Sequence, residues 1–258
     1  MAFADAKKRF SNRVADYVRY RPSYPPALIG LLEEKCALRR DQAIADIGSG
    51  TGLLSKLFLD YGNSVYGVEP NEEMRAAGEE FLRDYGKFTS VDASAEATTL
   101  RDASVDLVTV GQAFHWFDAL EAQREFRRIL KPGGWAVVVW QDRHMEDTAF
   151  ASAYEGVLEK YGIDYKKVKD SYPEAEKMAH FFDAGSYQTV ELPNAQSLDW
   201  EALQGRLRSS SYAPTAEHAN FAPMMAELKR IFDANEHDGK VRMEYYARVY
   251  FGKLDGGR

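Results

Sequence analysis

Asp46, Gly48, Gly50 and Gly52 alternate at the end of one octet, Ala45 to Gly52; Glu69 follows, then Asp92, then Gln112 and His115. The octet stands between the apolar run Ala43-Ile44-Ala45 and the run Leu53-Leu54-Ser55-Lys56-Leu57-Phe58-Leu59, which reads as a buried strand, a tight turn and a helix start. Glycine suits such a turn because a Cβ would block the bend and hold the backbone off a ligand. The N–H groups at the helix start then face a polar or anionic group. Glu69, roughly 20 residues past the glycines, ends a second strand, where its carboxylate can accept hydrogen bonds from both hydroxyls of a ribose. Asp92 ends a third strand and can accept from an adenine amino group, with the backbone at Ala93 beside the ring edge. His115, in the loop Gly111-Gln112-Ala113-Phe114-His115-Trp116-Phe117, can orient a substrate oxygen or take its proton, since an unperturbed imidazole titrates near about 6.5. The chemistry suggested is that of a cradle for an adenosine-bearing ligand with a reactive loop beside it.

The elements that must position these groups follow in order along the chain. Apolar residues Phe10, Val14, Tyr17 and Val18 recur at helical spacing, and Tyr20-Arg21-Pro22-Ser23-Tyr24-Pro25-Pro26 must leave the helix because proline restricts itself and its predecessor. A helix from Ala27 to about Cys36 completes this N-terminal arm. In a covering role, Arg21 would hold a carboxylate through its planar fork, and Tyr17 or Tyr20 would supply a flat surface and a hydroxyl. Strands are expected at Ser64–Val68, Lys87–Val91, Ser104–Val110 and Trp135–Trp140. Between the last two, a helix from Asp118 to Leu130 is capped by Asp118 with Glu121 as its capping-box partner. Helices around Thr148–Tyr161 and Pro173–Phe182 precede a strand from Tyr187 to Leu192 or a little beyond. A helix over Trp200–Arg208, a loop Ser209–Pro214, a helix near Ala216–Asn235 and a last strand Val241–Phe251 end the pattern.

The spacing of the third glycine separates two cofactor classes. A dinucleotide fingerprint needs glycine at position 53, where Leu53 stands. Asp46-x-Gly48-x-Gly50-x-Gly52 resembles instead the first motif of the class I S-adenosylmethionine-dependent methyltransferases. Leu130-Lys131-Pro132-Gly133-Gly134 is similar to the structural turn before that family's fifth strand. The resemblance implies a Rossmann-like α/β fold: a mostly parallel seven-stranded sheet with helices on both faces and an antiparallel last strand. It implies S-adenosyl-L-methionine as cofactor and S-adenosyl-L-homocysteine as product. It places Tyr17, Arg21, Asp46, Gly48, Gly50, Gly52, Glu69, Pro70, Asn71, Asp92, Ala93 and Gln112 at the cofactor, with Pro70 and Asn71 along the adenine. Tyr20-Arg21-Pro22, His115-Trp116-Phe117 and Ser211-Tyr212-Ala213-Pro214 look most like the small-molecule branch that includes trans-aconitate methyltransferase. Roughly forty residues stand between the last two strands, far more than a hairpin needs. With the arm they are expected to build a substrate lid that brings Tyr20 and Tyr212 to the acceptor beside His115.

Length and composition bound the rest. The chain has 258 residues, 45% of them hydrophobic, enough for one elaborated domain. The expected division is a core of about 41–142 plus 185–198 and 240–254, with lid elements at about 1–36 and 199–236. Lys and Arg number 33 against 40 Asp and Glu, a net charge of −7, which argues against a phosphate backbone as main partner. Cys36 is the single cysteine, no apolar run approaches a membrane span, no residue cluster has metal-ligand spacing, and a cytoplasmic location is expected. The expected function is methyl transfer to a small molecule, through a carboxylate or hydroxyl of the acceptor. A non-catalytic adenosyl-binding regulator and a nucleic-acid methyltransferase are the alternatives, and oligomeric state is not readable.

Overall fold

The computed structural model describes residues 14–144, 148–165, 175–182 and 186–254. Phe10, and with it the start of the first predicted helix, lies outside the described residues, as does Pro173 at the start of another. Within them, α1 (Val14–Tyr20) and α2 (Ala27–Cys36) form the arm. β1 (Ala43–Ile47), α3 (Leu53–Tyr61), β2 (Ser64–Val68), α4 (Glu72–Phe81), β3 (Phe88–Val91) and β4 (Val105–Gly111) follow. Then come α5 (Ala119–Ile129), β5 (Leu130–Arg143), α6 (Ala149–Tyr161), α7 (Ala175–Phe181), β6 (Tyr187–Leu198), α8 (Trp200–Arg208), α9 (Phe221–Asn235) and β7 (Val241–Gly252).

The strands form one seven-stranded sheet in the order β3-β2-β1-β4-β5-β7-β6. β1 to β5 are parallel; β7 is antiparallel to both β5 and β6. From β1 the chain runs outward to β2 and β3, then returns to place β4 on the other side. The crevice at that reversal lies beyond the carboxyl ends of β1 and β4, where α/β sheets bind ligands. Apolar side chains cover both sheet faces, and a third cluster, including Tyr154, Leu203, Tyr212 and Tyr245, sits beneath the insertion α8–α9.

Local chemistry explains several element ends. Asn71 caps α4, its Oδ1 accepting from Met74 N at 3.0 Å. Asp118 caps α5 through Leu120 N and Glu121 N, yet Glu121 is not its capping-box partner. The Asp118 N–H donates to Glu96 at 3.0 Å instead, a residue from the loop between β3 and β4, while Glu121 accepts from Arg124. The Lys131–Gly134 turn is drawn into β5, which starts at Leu130 opposite Val105 with a register shift before Leu107 pairs with Trp135. β6 extends to Leu198, six residues past Leu192, because β7 pairs with it along its whole length.

The arm and the insertion pack on one another. Tyr20 donates to Glu201 at 2.9 Å, and a Cβ on Gly205 would fall 2.0 Å from the Tyr20 ring. Arg208 pairs with Asp16 at 2.9 Å, and Arg21 donates to the Ser209 carbonyl at 2.8 Å. Gln141 in β5 donates to the Pro22 carbonyl at 3.1 Å, so the arm is tied to the sheet as well.

Candidate active site

The glycine turn between β1 and α3 is built by backbone that only glycine adopts cheaply. Gly48 has φ +68° and a Cβ there would lie 2.5 Å from Ala113 Cβ; Gly52 has φ +83° and would meet Leu82 at 2.6 Å. Gly48 N and Ser49 N both donate to the Val68 carbonyl, at 2.8 and 3.1 Å, which ties the turn to the tip of β2. At that tip Glu69 is turned toward the turn: its carboxylate accepts from Gly50 N at 2.9 Å and from Asn71 N at 2.8 Å.

Asp46 lies beneath the turn with 1% exposure; its Oδ2 accepts from Ser55 at 2.6 Å and its Oδ1 from Thr109 at 3.2 Å. Burial raises its pKa to about 7, against the opposing pull of the Ser55 and Thr109 hydroxyls, and the Glu69 charge adds to the rise.

A crevice of about 540 Å³, open mouth included, is lined by Arg21, Asp46, Gly48, Gly50, Gln112 and Arg206 among others. Of the residues singled out in the sequence, it brings together the first five. Gln112 stands at φ +58° just past β4 and donates to the Gln141 carbonyl at 3.2 Å. Gly52, Glu69, Pro70 and Asn71 surround the turn without lining this crevice. Glu69 N donates to the Val91 carbonyl at 3.0 Å, so Asp92 and Ala93 lie just beyond the neighbouring strand tip. The Asp92 carboxylate is 68% exposed and pairs with Arg75 at 3.0 Å. Tyr17 falls in α1, but its side chain lies outside the described residues.

The three expected acceptor-site residues go to different places. Tyr20 is spent on α8, as above. His115 sits in a short 3-10 turn, Phe114–Trp116, with its ring 4.5 Å from Trp116 and 5.3 Å from Trp140. The residue as a whole is exposed, while desolvation of the imidazole, then the Lys177 charge, pushes it below the ordinary range; it is neutral at pH near 7. Tyr212 is buried at 9% exposure, edge-on to Tyr165 at 4.8 Å. Burial alone would raise its phenol; the guanidiniums of Arg143 and Arg206 outweigh it, helped by Ser210 and Arg21, and lower it to about 8.

Sequence reasoning missed Arg143, Glu155, Tyr154 and Arg206, which surround Tyr212 from β5, α6 and α8. Arg143 pairs with Glu155 at 2.6 Å, and Tyr165 donates to the same carboxylate at 2.7 Å. No local pattern in the sequence signals this cluster, because its members come from three separate elements.

The fit of an adenosyl cofactor to these residues can be judged from the turn itself. Thr51 lines the crevice with its hydroxyl buried and without a hydrogen-bond partner, and Glu69 faces the turn. A polar ligand satisfies that orphaned hydroxyl.

Strand order, glycine turn and the acid at the tip of β2 define the class I methyltransferase fold. The methyltransferase domain family matches residues 45–138. An uncharacterised methyltransferase-like protein of Schizosaccharomyces pombe is 36% identical over 252 residues, 94% of this chain and 94% of that protein. This chain belongs to the methyltransferase family, whose cofactor is S-adenosyl-L-methionine. It spans about half the length of other curated relatives it matches, among them an uncharacterised methyltransferase of Mycobacterium tuberculosis, 38% identical over 143 residues, 54% of each chain. Among solved structures, a protein provisionally assigned as a type II methyltransferase from Anaeromyxobacter dehalogenans has TM-score 0.65 at 22% identity, covering 91% of this chain and 98% of that one. A Haemonchus contortus phosphoethanolamine N-methyltransferase, solved with phosphomonomethylethanolamine and S-adenosylhomocysteine, has TM-score 0.56 at 15% identity, covering 97% of this chain and 59% of that one. These two likenesses are of fold. Among the described residues no helix is long and apolar enough to cross a membrane.

Asp46 is expected to make cofactor affinity pH-dependent. Its folded pKa, about 7, lies above the unfolded value, so the folded state binds more protons between the two. Its contribution to stability is fully present below the unfolded pKa and is lost as pH rises through about 7. A cationic ligand favours the ionised form, so S-adenosylmethionine should bind more tightly as pH rises from about 6 to about 8, by up to tenfold per unit below the pKa. Calorimetric titration across that range checks it, and Asp46→Asn should flatten the profile; an unchanged slope in that variant would remove Asp46 from the effect.

Proposed function

We propose that this chain transfers a methyl group from S-adenosyl-L-methionine to a small-molecule acceptor by in-line displacement. One observation carries the reading: a single crevice joins the glycine turn and Gln112, at the tips of β1 and β4, to Arg21 and Arg206 under the arm and insertion. The cofactor, when bound, supplies a methyl group on a cationic sulfur that is already activated for displacement.

What the chain contributes is alignment, charge and the exclusion of water. Gly48 and Gly50 leave the backbone accessible, Glu69 receives the ribose, Asp46 offers negative charge under the turn, and Gln112 borders the reacting side. The clasp of α1 on α8 shields the inner crevice. A carboxylate acceptor needs no base. For a hydroxyl acceptor, the Tyr212 phenol, lowered to about 8, and the neutral His115 imidazole are candidate proton acceptors. The resemblance of the arm, the His115 loop and the Tyr212 loop to the trans-aconitate branch supports an acidic acceptor.

The test is calorimetry with S-adenosylmethionine and S-adenosylhomocysteine, followed by a radiolabelled methyl-transfer screen over small acids, phenols and amines. Binding of both, with turnover on a small acceptor, is the expected result. Binding without turnover on any of them favours a regulator, labelling of bulk RNA or DNA instead overturns the small acceptor, and absence of binding overturns the reading entirely.

A further inference from the structure

Arg206 is a cation that the fold buries without giving it a counter-ion. It is 5% exposed in α8; its Nε donates to Tyr245 at 3.1 Å and its Nη1 to Ser210 at 3.1 Å. Both partners are neutral hydroxyls, and among the described residues no carboxylate pairs with it. The neighbouring guanidinium, Arg143, pairs with the Glu155 carboxylate. Guanidinium cannot shed its charge, so a buried one without an acid is retained at a cost that an anion relieves.

Two further observations point the same way. The Tyr154 hydroxyl, on a side chain with no exposure, has no hydrogen-bond partner, and it lies close enough to Arg206 for the two to interact electrostatically. Tyr212, in the same cluster, is lowered despite its burial because the Arg143 and Arg206 charges act on it, in keeping with a surplus of positive potential there. Arg206 also lines the crevice that holds the glycine turn. The Arg206 guanidinium, with Nη2 left over, and the unpartnered hydroxyl in the same cluster are donors of the kind an oxyanion accepts from.

We propose that Arg206 is the anchor for an oxyanion of the acceptor, a carboxylate or a phosphate monoester, with Tyr154 as second donor; this deepens, and rests on, the methyl-transfer reading. The anchored group is held away from the turn, and the acceptor's other end reaches toward Gln112. Arg206 fixes orientation, and the methylated atom lies elsewhere on the acceptor or on a second oxyanion.

The experiment titrates the full chain, with and without saturating S-adenosylhomocysteine, with benzoate, succinate and phenyl phosphate against benzamide and succinamide. Phenolate absorbance follows Tyr212 in parallel. At least one anion should bind, the uncharged amides should not, and the bound anion should raise the pKa of the tyrosine that titrates near 8. Arg206→Gln should weaken that anion by about tenfold or more, and Arg206→Lys should keep part of the affinity. Tyr154→Phe, a milder change for the fold, should weaken it less. Preference for phenyl phosphate over benzoate assigns the phosphate class, the reverse the carboxylate class. Undiminished anion binding in a folded Arg206→Gln protein, or no anion bound by a protein that binds S-adenosylhomocysteine, overturns the anchor. Failure of S-adenosylhomocysteine alone overturns the methyl-transfer reading, while anion binding lost in Arg206→Gln upholds the anchor even then.

Discussion

Gly48→Ala is expected to abolish measurable cofactor binding, a loss of at least about 100-fold, or roughly 2.7 kcal/mol. Two costs act together at this position. At φ +68° an L side chain is strained, and the new Cβ would lie 2.5 Å from Ala113 Cβ and 3.2 Å from the Phe117 ring. Neither neighbour yields easily. Ala113 lies two residues past the end of β4, and Phe117 packs edge-on to the buried Phe114 at 6.0 Å. Relief therefore has to come from the turn itself, which moves Gly50 N off the Glu69 carboxylate. Calorimetry with S-adenosylhomocysteine measures the binding loss, and thermal unfolding separates it from destabilisation, expected at about 1–3 kcal/mol. Adding Ala113→Gly removes the closest contact while leaving the backbone strain, so the double variant should recover part of the affinity. Wild-type binding by Gly48→Ala would show that the turn is not the cradle.

Glu155→Gln should destabilise the fold by about 3–5 kcal/mol, the largest stability effect expected of a single change here. Arg143 and Glu155 side chains are both 10% exposed and meet at 2.6 Å, so removing the acid leaves a buried guanidinium uncompensated. The same carboxylate accepts from the Tyr165 hydroxyl at 2.7 Å, and an amide can keep one such bond but not the charge. At about 2–4 °C per kcal/mol for a chain approaching this size, melting should fall by roughly 6–20 °C. A second readout follows from the electrostatics. With Glu155 neutral, the Arg143 charge acts on Tyr212 unopposed and favours the phenolate, so the phenol that titrates near 8 should titrate lower still. A melting change under about 2 °C would mean that solvent already compensates Arg143.

Those two positions differ in how they are read. Gly48 is legible from its neighbours in the chain: an apolar strand, alternating glycines after an aspartate, an apolar helix start. Glu155 is an acid on an amphipathic helix, like many solvated ones, until α6, β5 and the loop after α8 are packed together. Glu121 shows the same limit in small. Its spacing from Asp118 suits a capping box, but Glu96 from another loop reaches the Asp118 N–H first.

By itself the sequence determined what acts over a few residues: the glycine turn, the acid at the tip of β2, the cap at Asp118, the succession of strands, and through these the class I fold. Such features rest on backbone conformation and local hydrogen bonds, which neighbouring residues dictate. Only the tertiary structure decided where Tyr20, His115 and Tyr212 point, and that Arg21, Arg143, Arg206 and Tyr154 converge. Those side chains come from the arm, β5, α6, α8 and the loop beyond it, and no periodicity links them. Their meeting is a product of how the arm and insertion close over the sheet, and burial there turns ordinary surface residue types into a charged interior.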